Sequence, residues 1–510
     1  MDRTAALLSA FELVEAVQGE QRERAVSAIP EAEAAADAWP DVLFLLATAR
    51  TVHAIVQPGE GADLDTLTEQ LLDQAPGPAA AAIALGLQAL AAAGAGDTAR
   101  LLAATSRAIA LLDDEVLPAH ERCLALVINA AALNTLRLWE LVDELYAAAL
   151  ADPDAAREAG QAEAVAINRV IIGLEHGLAL LECDEPAAAA ERLRAAAALV
   201  PAALAADLRS LWQRDALAAA DLVRLLLGEP TDVPVEEHAT ALAAEGDVEV
   251  LPLLLAAHAL RAWRDDGDSR PAVALGARTS TSSGARSFPL WVRAHVLAAR
   301  APGPEVEALQ AHGRLIDRLL WESRLAVLSA ARAQIDAERR RAEHDRLTRA
   351  VHTDPLTGLH NRRRFDGWLQ RPGSGPTALL LIDLDGFKAV NDLHGHACGD
   401  EVLRRIGLLL RSSVRPGDLA VRQGGDEFAL VLRADDLDED TVLARAEDVA
   451  RAVREEDWSQ LSAGLSVAVS VGAALATADV SGPALYAAAD GALYRVKRAG
   501  LPPVLEVLNR

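Results

Sequence analysis

The stretch from 422 to 428 restricts the fold of this chain more than any other part of its 510 residues. Short apolar runs stand on both sides of the pair Gly424-Gly425. Paired glycines accept the positive φ angles of tight hairpin turns, so the pattern predicts two antiparallel strands with Asp426 and Glu427 at the hairpin tip. The alternative is a glycine turn that carries two solvated acids without a function.

Another acid follows a strand pattern upstream. Residues 378–382 are all apolar and predict a buried strand, which Asp383 directly follows. If this strand neighbours the hairpin, the carboxylates of Asp383 and Asp426 meet across the sheet. Carboxylate oxygens are the hard ligands that Mg²⁺ takes in proteins, usually together with water and substrate phosphates. The pattern therefore predicts a magnesium site.

Charge and cysteine content exclude several classes of protein. The formal net charge of −26 argues against a general binder of nucleic acid or of anionic membranes. The cysteines, Cys123, Cys183 and Cys398, lie far apart, which fits a reducing compartment and no zinc site. The N-terminus soon meets acids and does not resemble a signal peptide. The uncharged run at 75–96 favours a buried helix over a membrane span, so we expect a cytoplasmic protein.

Lysine is rare in this chain. Of 49 Lys and Arg residues, only Lys388 and Lys497 are lysines, and both fall in the C-terminal third. The lysine ammonium is a compact point charge that suits a phosphate oxygen. The two lysines are therefore candidate phosphate ligands, the alternative being two surface positions without a role.

Residues 1–300 show helical periodicity throughout, as in Leu7, Phe11 and Val14. Short turns near residues 97, 184 and 230 separate alanine-rich helices and predict helix pairs that repeat at roughly 40–45 residues. The region resembles a tetratricopeptide-type α-solenoid. Such stacks present a concave surface, so we predict a regulatory region with an unknown protein or peptide partner. The alternative is a helical scaffold that binds nothing.

Residues 301–352 predict one long helix. Leu328, Ile335 and Ala342 recur every seven residues, but arginines at 332, 339 and 346 occupy the rest of the seam. That composition makes a poor coiled coil. Two interpretations stay open: a signalling helix that pairs weakly and reversibly, and a helical spacer.

Residues 353–510 alternate between strand and helix patterns. This alternation predicts an α/β domain with helices packed on a mainly antiparallel sheet. The predicted strands are 377–383, 418–422, 427–432 and 465–473, and the predicted helices are 399–413, 437–455 and 482–498.

Three motifs follow one another in this domain, at 383–392, 395–401 and 424–428. They read Asp-Leu-Asp-Gly-Phe-Lys-Ala-Val-Asn-Asp, Gly-His-Ala-Cys-Gly-Asp-Glu and Gly-Gly-Asp-Glu-Phe. Their order and spacing resemble the GGDEF family of diguanylate cyclases. The resemblance implies a nucleotidyl-cyclase fold like the polymerase palm, GTP as substrate, and cyclic di-GMP and pyrophosphate as products. It also implies Mg²⁺ or Mn²⁺ as cofactor and a homodimer, because two GTP-loaded domains must face each other.

The resemblance implies roles for individual residues. The catalytic residues would be Asp426 and Glu427, and the metal ligands Asp383, the Leu384 carbonyl and Asp426. Backbone N–H groups of residues 385–388 would cradle the β- and γ-phosphates. The expected substrate contacts are Asn391 and Asp400 on guanine, with Phe387, Lys388, Lys497, Gly424 and Gly425.

Arg415 and Asp418 match the RxxD inhibitory site of the family, with five residues between Asp418 and Gly424. An arginine fork and an acid would bind product there, and the alternative is a solvated turn. Residues 352–363 resemble the start of GGDEF domains, where Asp354 is expected to pair with an arginine of the same segment.

One position departs from the family. After Lys497 the family continues Gly-Arg-Asn, whereas this chain has Leu501 in place of the arginine. An arginine expected near the phosphates is therefore missing. The leading hypothesis is an active diguanylate cyclase controlled by the helical region and by its product. The alternative is a non-catalytic receptor for cyclic di-GMP or GTP that acts through the helical repeats.

Overall fold

A computed structural model describes most of the chain, with short gaps, and divides it into two compact units, Met1–Ala342 and Glu343–Arg510. The described residues are 2–17, 22–36, 39–57, 63–113, 117–158, 161–205, 210–230, 251–271, 288–301, 303–371, 375–415, 417–434, 437–477, 480–500 and 502–508.

The described part of the first unit is helical, as predicted. Its helices are α1 (Arg3–Ala16), α2 (Arg22–Ala35), α3 (Pro40–Val56), α4 (Leu64–Asp73), α5 (Pro78–Gly94), α6 (Thr98–Leu111), α7 (Ala119–Asn134), α8 (Trp139–Ala149), α9 (Pro153–Glu158), α10 (Ala162–Glu182), α11 (Pro186–Ala205), α12 (Ser210–Leu227), α13 (Leu251–Asp266), α14 (Phe288–Arg300) and α15 (Pro304–His352).

Local sequence explains how these helices begin and pack. The Asp97 side chain accepts a hydrogen bond from the Arg100 backbone N–H and caps α6. Pro78 occupies the first turn of α5, where its missing N–H has no partner to lose. Small residues let helices approach closely, since a Cβ at Gly86 would lie 2.8 Å from the Asn129 side chain on α7. The alanine-rich composition therefore supports tight helix packing.

The uncharged run of residues 75–96 forms α5, and most of that helix is buried inside the unit, as predicted. A single helix among the described residues, Ala164–Glu182, is long and apolar enough by composition to cross a membrane, and 61% of it is buried in the fold. Burial of this kind is usual for a core helix.

The long helix predicted near residues 301–352 is α15, and the division between the two units falls within it. In the first unit its residues Arg324, Ala331 and Ile335 are buried. Ala331 and Ile335 belong to the same apolar core as α1 to α8. One face of this helix is therefore packed rather than solvated.

The second unit is an α/β domain built on a six-stranded sheet with the order β1-β3-β4-β2-β5-β6. Its strands are β1 (His360–Asn361), β2 (Thr377–Leu384), β3 (Leu419–Gly424), β4 (Glu427–Arg433), β5 (Val469–Ala476) and β6 (Val504–Leu508). Its helices are α16 (Arg362–Gln370), α17 (Phe387–His394), α18 (His396–Ser412), α19 (Glu439–Glu455) and α20 (Gly482–Ala499), with a 3₁₀ turn at Trp458–Gln460.

The sheet is mixed. Strands β3, β4, β2 and β5 pair antiparallel, which agrees with the expectation, whereas β1 joins β3 and β6 joins β5 in parallel at the two edges. The edge strands were not predicted, because β1 has two residues and β6 follows the last predicted helix. The predicted strand 465–473 begins later, at Val469.

Helices cover the central strand on both faces. In β2, Leu380 and Ile382 belong to the core on one face, and Leu379 and Leu381 belong to the core on the other. A strand that is buried on both faces is apolar at every position. This explains the continuous apolar run that ends at the first acid of the candidate site.

Candidate active site

Asp383 lies near the end of the central strand β2. Its register partners are Glu427 on β4 and Ser470 on β5. Strand pairing on both sides fixes its backbone, and only 8% of the residue is exposed. A carboxylate at this depth needs compensating charge or hydrogen bonds.

The hairpin between β3 and β4 carries Asp426. A register shift falls between Arg422 and Gly424, and Gly425 has a φ of 54°, which favours glycine. The Leu384 N–H donates a hydrogen bond of 3.2 Å to the Asp426 backbone carbonyl. This bond ties the hairpin tip to the end of β2, so the acids of the two strands lie at the same edge of the sheet.

Lys497 on α20 lies at the same side of the sheet, where β2 ends and β4 begins. Its Nζ lies 2.5 Å from Asp383 Oδ1. Burial raises the pKa of the Asp383 carboxyl, and the charges of Asp426 and Asp385 add to this effect, while Lys497 opposes it. The site therefore holds more negative charge than one lysine neutralises, which favours the binding of a further cation.

The oxygens at this edge fit a magnesium ion. The candidate ligands are the carboxylates of Asp383 and Asp426 and the main-chain carbonyl of Leu384, all hard oxygens. Within the described ranges, no cluster of three or more His, Cys, Asp or Glu side chains could hold a metal by itself. Two carboxylates suffice for Mg²⁺ when substrate phosphates and water complete the shell, and Mn²⁺ accepts the same oxygens.

The turn after β2 leads into α17. Gly386 precedes this helix with a φ of 66°. First-turn N–H groups have no intrahelical partner and attract anions, and Lys388 is exposed beside them. The expectation that the Asp385 N–H joins this cradle is wrong, because it donates to the Ala468 carbonyl over 2.9 Å. The remaining N–H groups, of residues 386–388, can still face a phosphate.

Helices α17 and α18 meet at Gly399. A Cβ at this position would lie 2.0 Å from Asn391 Oδ1 and 3.3 Å from Phe387 Cζ, so only glycine leaves room for the Asn391 side chain. Asp400 is the next residue and is exposed. The structure thus brings Phe387, Asn391 and Asp400 to one helix junction.

Arg422 connects the hairpin to the start of the domain. Its Nη1 donates to Asp354 Oδ1 over 3.1 Å, while its Nε and Nη2 donate to the Gly425 carbonyl over 3.1 and 2.8 Å. The expected pairing of Asp354 with an arginine of its own segment, 352–363, is therefore wrong. Sequence reasoning gave Arg422 no role, although an arginine beside two glycines is a natural donor to their uncovered carbonyls.

Burial acts to raise the pKa of Asp354, but hydrogen bonds from Thr357 and Arg422 outweigh it and lower the pKa of this carboxyl. Side-chain exposure is 18% for Asp354 and 13% for Arg422. The ion pair is therefore a compensated, structural contact that holds the hairpin in place.

Arg415 and Asp418 form a turn at the far end of β3. The Asp418 carboxylate accepts hydrogen bonds from the backbone N–H groups of Arg415 and Arg433 over 3.1 and 3.0 Å. Arg415 is exposed. The six residues of β3 separate this turn from the hairpin tip by about 20 Å. The two predicted sites are therefore distinct places on the domain.

The predicted glycines leave the hairpin open. A Cβ at Gly424 or Gly425 would meet nothing within 4 Å, so a large ligand can approach this backbone. Leu501, where the family pattern has an arginine, lies outside the described residues.

Comparison with known proteins agrees with this geometry. The family model described as "Diguanylate cyclase, GGDEF domain" matches residues 351–501. Diguanylate cyclase DgcM of Escherichia coli (strain K12) is 41% identical over 174 residues, which cover 33% of this chain and 41% of DgcM. Response regulator PleD of Caulobacter vibrioides (strain NA1000 / CB15N) is 39% identical over 161 residues, which cover 29% of this chain and 34% of PleD.

A third relative is covered more fully. An uncharacterized protein encoded in the hutH 5′ region of Streptomyces griseus is 38% identical over 221 residues, which cover 41% of this chain and 86% of that protein. By contrast, the chain spans less than half the length of DgcM and of PleD. The similarity to those two proteins therefore concerns one domain.

Proposed function

Because this chain belongs to the GGDEF family through residues 351–501, we propose that it is a diguanylate cyclase. It would condense two GTP molecules into cyclic di-GMP and release two pyrophosphates. The observation that carries this proposal is the meeting of the β2 end with the hairpin tip. There Asp383, Asp426 and Lys497 share one edge of the sheet. Acids for a metal and a cation for phosphates are what such a reaction requires.

The metal would be held by Asp383, Asp426 and the Leu384 carbonyl. A bound Mg²⁺ or Mn²⁺ would neutralise phosphate charge and orient the reacting groups. The surroundings of Asp383 support this assignment, because its carboxyl group is buried and lies near the charges of Asp426 and Asp385, with Lys497 as its basic partner.

The protein's own groups would position the nucleotide. Asp426, at the open hairpin tip, would accept the proton of the attacking 3′-hydroxyl, with Glu427 in a supporting role. Lys388 and Lys497 would neutralise the β- and γ-phosphates. Lys497 carries three donors, so it can contact a phosphate oxygen while it stays near Asp383.

Guanine would be read at the junction of α17 and α18. The Asn391 amide and the Asp400 carboxylate offer a donor and acceptors that complement the guanine edge. The space above Gly399 holds Asn391 close to Phe387, which preorganises the amide. Gly424 and Gly425 would let the nucleotide approach the hairpin backbone.

Product would bind at Arg415 and Asp418 and inhibit the enzyme. The exposed Arg415 is available to an anionic ligand. Asp418 keeps the turn in shape through its backbone hydrogen bonds. Catalysis further implies a homodimer, because each domain binds one GTP. For the first unit we propose a tetratricopeptide-like arrangement with a protein or peptide partner, and for the whole chain a cytoplasmic location.

The test is direct. Purified full-length protein is incubated with GTP and Mg²⁺, and cyclic di-GMP is measured by chromatography. Asp426→Ala should lower the rate at least about 100-fold, because it removes both a metal ligand and the proton acceptor. Asp448→Ala is the matched control, since Asp448 is an exposed acid of α19 that pairs with Arg451 on the same helix.

Failure would point to the receptor function. Absence of product from the wild type at high protein concentration would contradict the cyclase. Titration with cyclic di-GMP would then test the receptor function. A receptor should bind cyclic di-GMP as the wild type, and this binding should be lost in Arg415→Ala.

A further inference from the structure

The face by which α15 packs on the first unit has heptad spacing. Eight of its buried and half-buried positions follow one another in alternating steps of four and three residues, as in one strand of a coiled coil, and residues 327, 334 and 337 flank them. The same face contains Leu328, Ile335 and Ala342, whereas Arg332 and Arg339 are exposed and lie outside it, so the expectation that arginines occupy the rest of the seam is wrong. We call it the docking seam, and its positions are Asp317, Trp321, Arg324, Leu328, Ala331, Ile335, Glu338 and Ala342.

Arg324 is the centre of the docking seam. Its guanidinium donates to both oxygens of Glu140 on α8 over 2.7 and 2.9 Å. It also lies over the rings of Trp139 and Trp321, with 5.0 and 4.1 Å to the ring centroids. Bidentate ion pairing and cation–π contact reinforce each other in a desolvated place. Arg324 is therefore the seam residue with the strongest polar contacts to the first unit.

The other ion pairs along α15 are more exposed. Arg332 lies 2.5 Å from Glu144, and Arg339 lies 2.7 Å from Asp113, with side chains about half exposed in both pairs. Exposed pairs of this kind contribute little to stability. The Arg324–Glu140 pair, with side-chain exposures of 7% and 20%, therefore dominates the polar part of the contact.

The docking seam cannot serve two partners at once. If two copies of α15 paired through it in parallel, Trp321, Leu328 and Ile335 would meet their counterparts, as a coiled coil requires. Arg324 would then face another arginine, which weakens such a pair without preventing it. Docked on its own first unit, the same arginine has a carboxylate partner. The contact within the chain is thus favoured at rest.

We propose that the docking seam is an interaction surface with two mutually exclusive partners, the first unit of the same chain and the docking seam of a second copy. The Arg324–Glu140 pair holds the chain in the first state. Release exposes the apolar seam residues and lets two copies pair. The consequence for activity rests on the proposed cyclase function, since pairing brings two GTP-loaded domains together. The pairing of two copies through the seam does not depend on the proposed cyclase function.

The surroundings of Glu140 make a clean test possible. A cavity of about 380 Å³ opens beside it, lined by Trp139, Glu144, His176 and Arg332, among others. An arginine side chain at position 140 can extend into this space. Glu140→Arg therefore opposes Arg324 by charge while it leaves the docking seam unchanged.

The experiment compares full-length wild type with Glu140→Arg without nucleotide. Hydrogen exchange of residues 317–342 should become at least about tenfold faster in the variant at low protein concentration. Sedimentation should show that the dissociation constant of the Glu140→Arg dimer is at least about fivefold lower than that of the wild type. With GTP and Mg²⁺ at fixed protein concentration, the cyclase rate should rise by a similar factor. Glu140→Gln, which keeps the shape and removes the charge, should change all three in the same direction by less.

Asp154→Arg is the matched control. It makes the same change of charge on an exposed residue of the first unit that pairs with Arg157 on its own helix, and it should leave all three measurements unchanged. Equal exchange of residues 317–342 in wild type and in both Glu140 variants would overturn the proposal. So would faster exchange without stronger self-association. If no protein makes cyclic di-GMP, the proposed function fails, while exchange and sedimentation still decide the question of the seam.

Discussion

Two carboxylates, the buried Asp383 of the second unit and the half-buried Glu140 of the first, both face a basic side chain, yet their pKa values shift in opposite directions. Burial raises the pKa of Asp383, and Lys497 does not offset it. Burial also acts to raise the pKa of Glu140, but the hydrogen bonds and charge of Arg324 outweigh it and the pKa is lowered. The Lys497 side chain is 42% exposed, whereas Arg324 is 7% exposed and binds both carboxylate oxygens.

The two pKa shifts distinguish an ion pair that compensates its own burial from one that does not. Arg324 outweighs the cost of burying Glu140, as is usual for a structural ion pair. The pKa of Asp383 stays raised because the carboxyl group is buried and its lysine partner is 42% exposed, which is consistent with the proposed metal site. A functional site is often where a protein leaves an interaction unsatisfied at some cost in stability.

Among the variants that test the comparison of Asp383 with Glu140, Asp383→Asn should have the largest effect on activity. The cyclase rate should fall at least about 100-fold, because a metal ligand is lost. The melting temperature of the nucleotide-free protein should stay the same or rise by a few degrees, because a carboxyl with a raised pKa is more easily buried as a neutral group. Calorimetry beside the activity assay measures both. A clear fall in melting temperature would show that Asp383 is a structural residue like Glu140.

A second prediction tests whether a compensated ion pair is structural even when it lies in the catalytic domain. The Asp354–Arg422 pair lies in the catalytic domain but is compensated like Glu140–Arg324. Arg422→Met should therefore destabilise the second unit by about 2 kcal/mol, because Asp354 loses a charged hydrogen-bond partner in a half-buried place. Hydrogen exchange of residues 419–433 in the full-length protein measures this. Arg433→Met, at an exposed position of β4, should have little effect, and similar behaviour of the two variants would contradict the compensated role of Arg422.

The smallest expected effect concerns Glu182, a second under-compensated acid. Burial and the nearby Asp317 of α15 raise its pKa to about 7, while Arg137 opposes the shift. Because the folded-state pKa lies above the unfolded value, this proton stabilises the fold at low pH and the stabilisation is lost as pH rises through 7. The first unit should gain on the order of 1 kcal/mol between pH 8 and pH 6.

Glu182→Gln should remove that part of the pH dependence. The difference in melting temperature between pH 8 and pH 6 should be smaller in the variant than in the wild type. An unchanged difference would mean that Glu182 is ionised throughout this range in the folded protein.

Much of the fold followed from local patterns. The apolar run before Asp383 predicted β2, because a strand buried on both faces is apolar at every position. The glycine pair predicted the β3–β4 hairpin, because Gly425 adopts a positive φ. The edge strands were missed, since two residues of β1 carry no periodicity. The parallel pairing of β6 depends on where α20 returns the chain.

The candidate site was predictable as a set of residue types but not as a set of contacts. Motif order placed acids, lysines and an amide in one domain. It could not show that the Asp385 N–H donates a hydrogen bond to the Ala468 carbonyl. Nor could it show that Asp354 pairs with Arg422 rather than with an arginine of its own segment. Both contacts join residues far apart in the chain, about which local sequence carries no information.

The class of each unit, the family of the second and the chemistry of its candidate ligands could be predicted from residue order alone, because periodicity, turn residues and motif spacing are local properties. What the heptad positions of α15 contact became known from the packing of the folded chain. Spacing alone indicates that a helix face is apolar, and it cannot say which surface covers that face. Here Glu140, Trp139 and the core of the first unit cover it, since they offer Arg324 a partner that a second copy of the helix lacks.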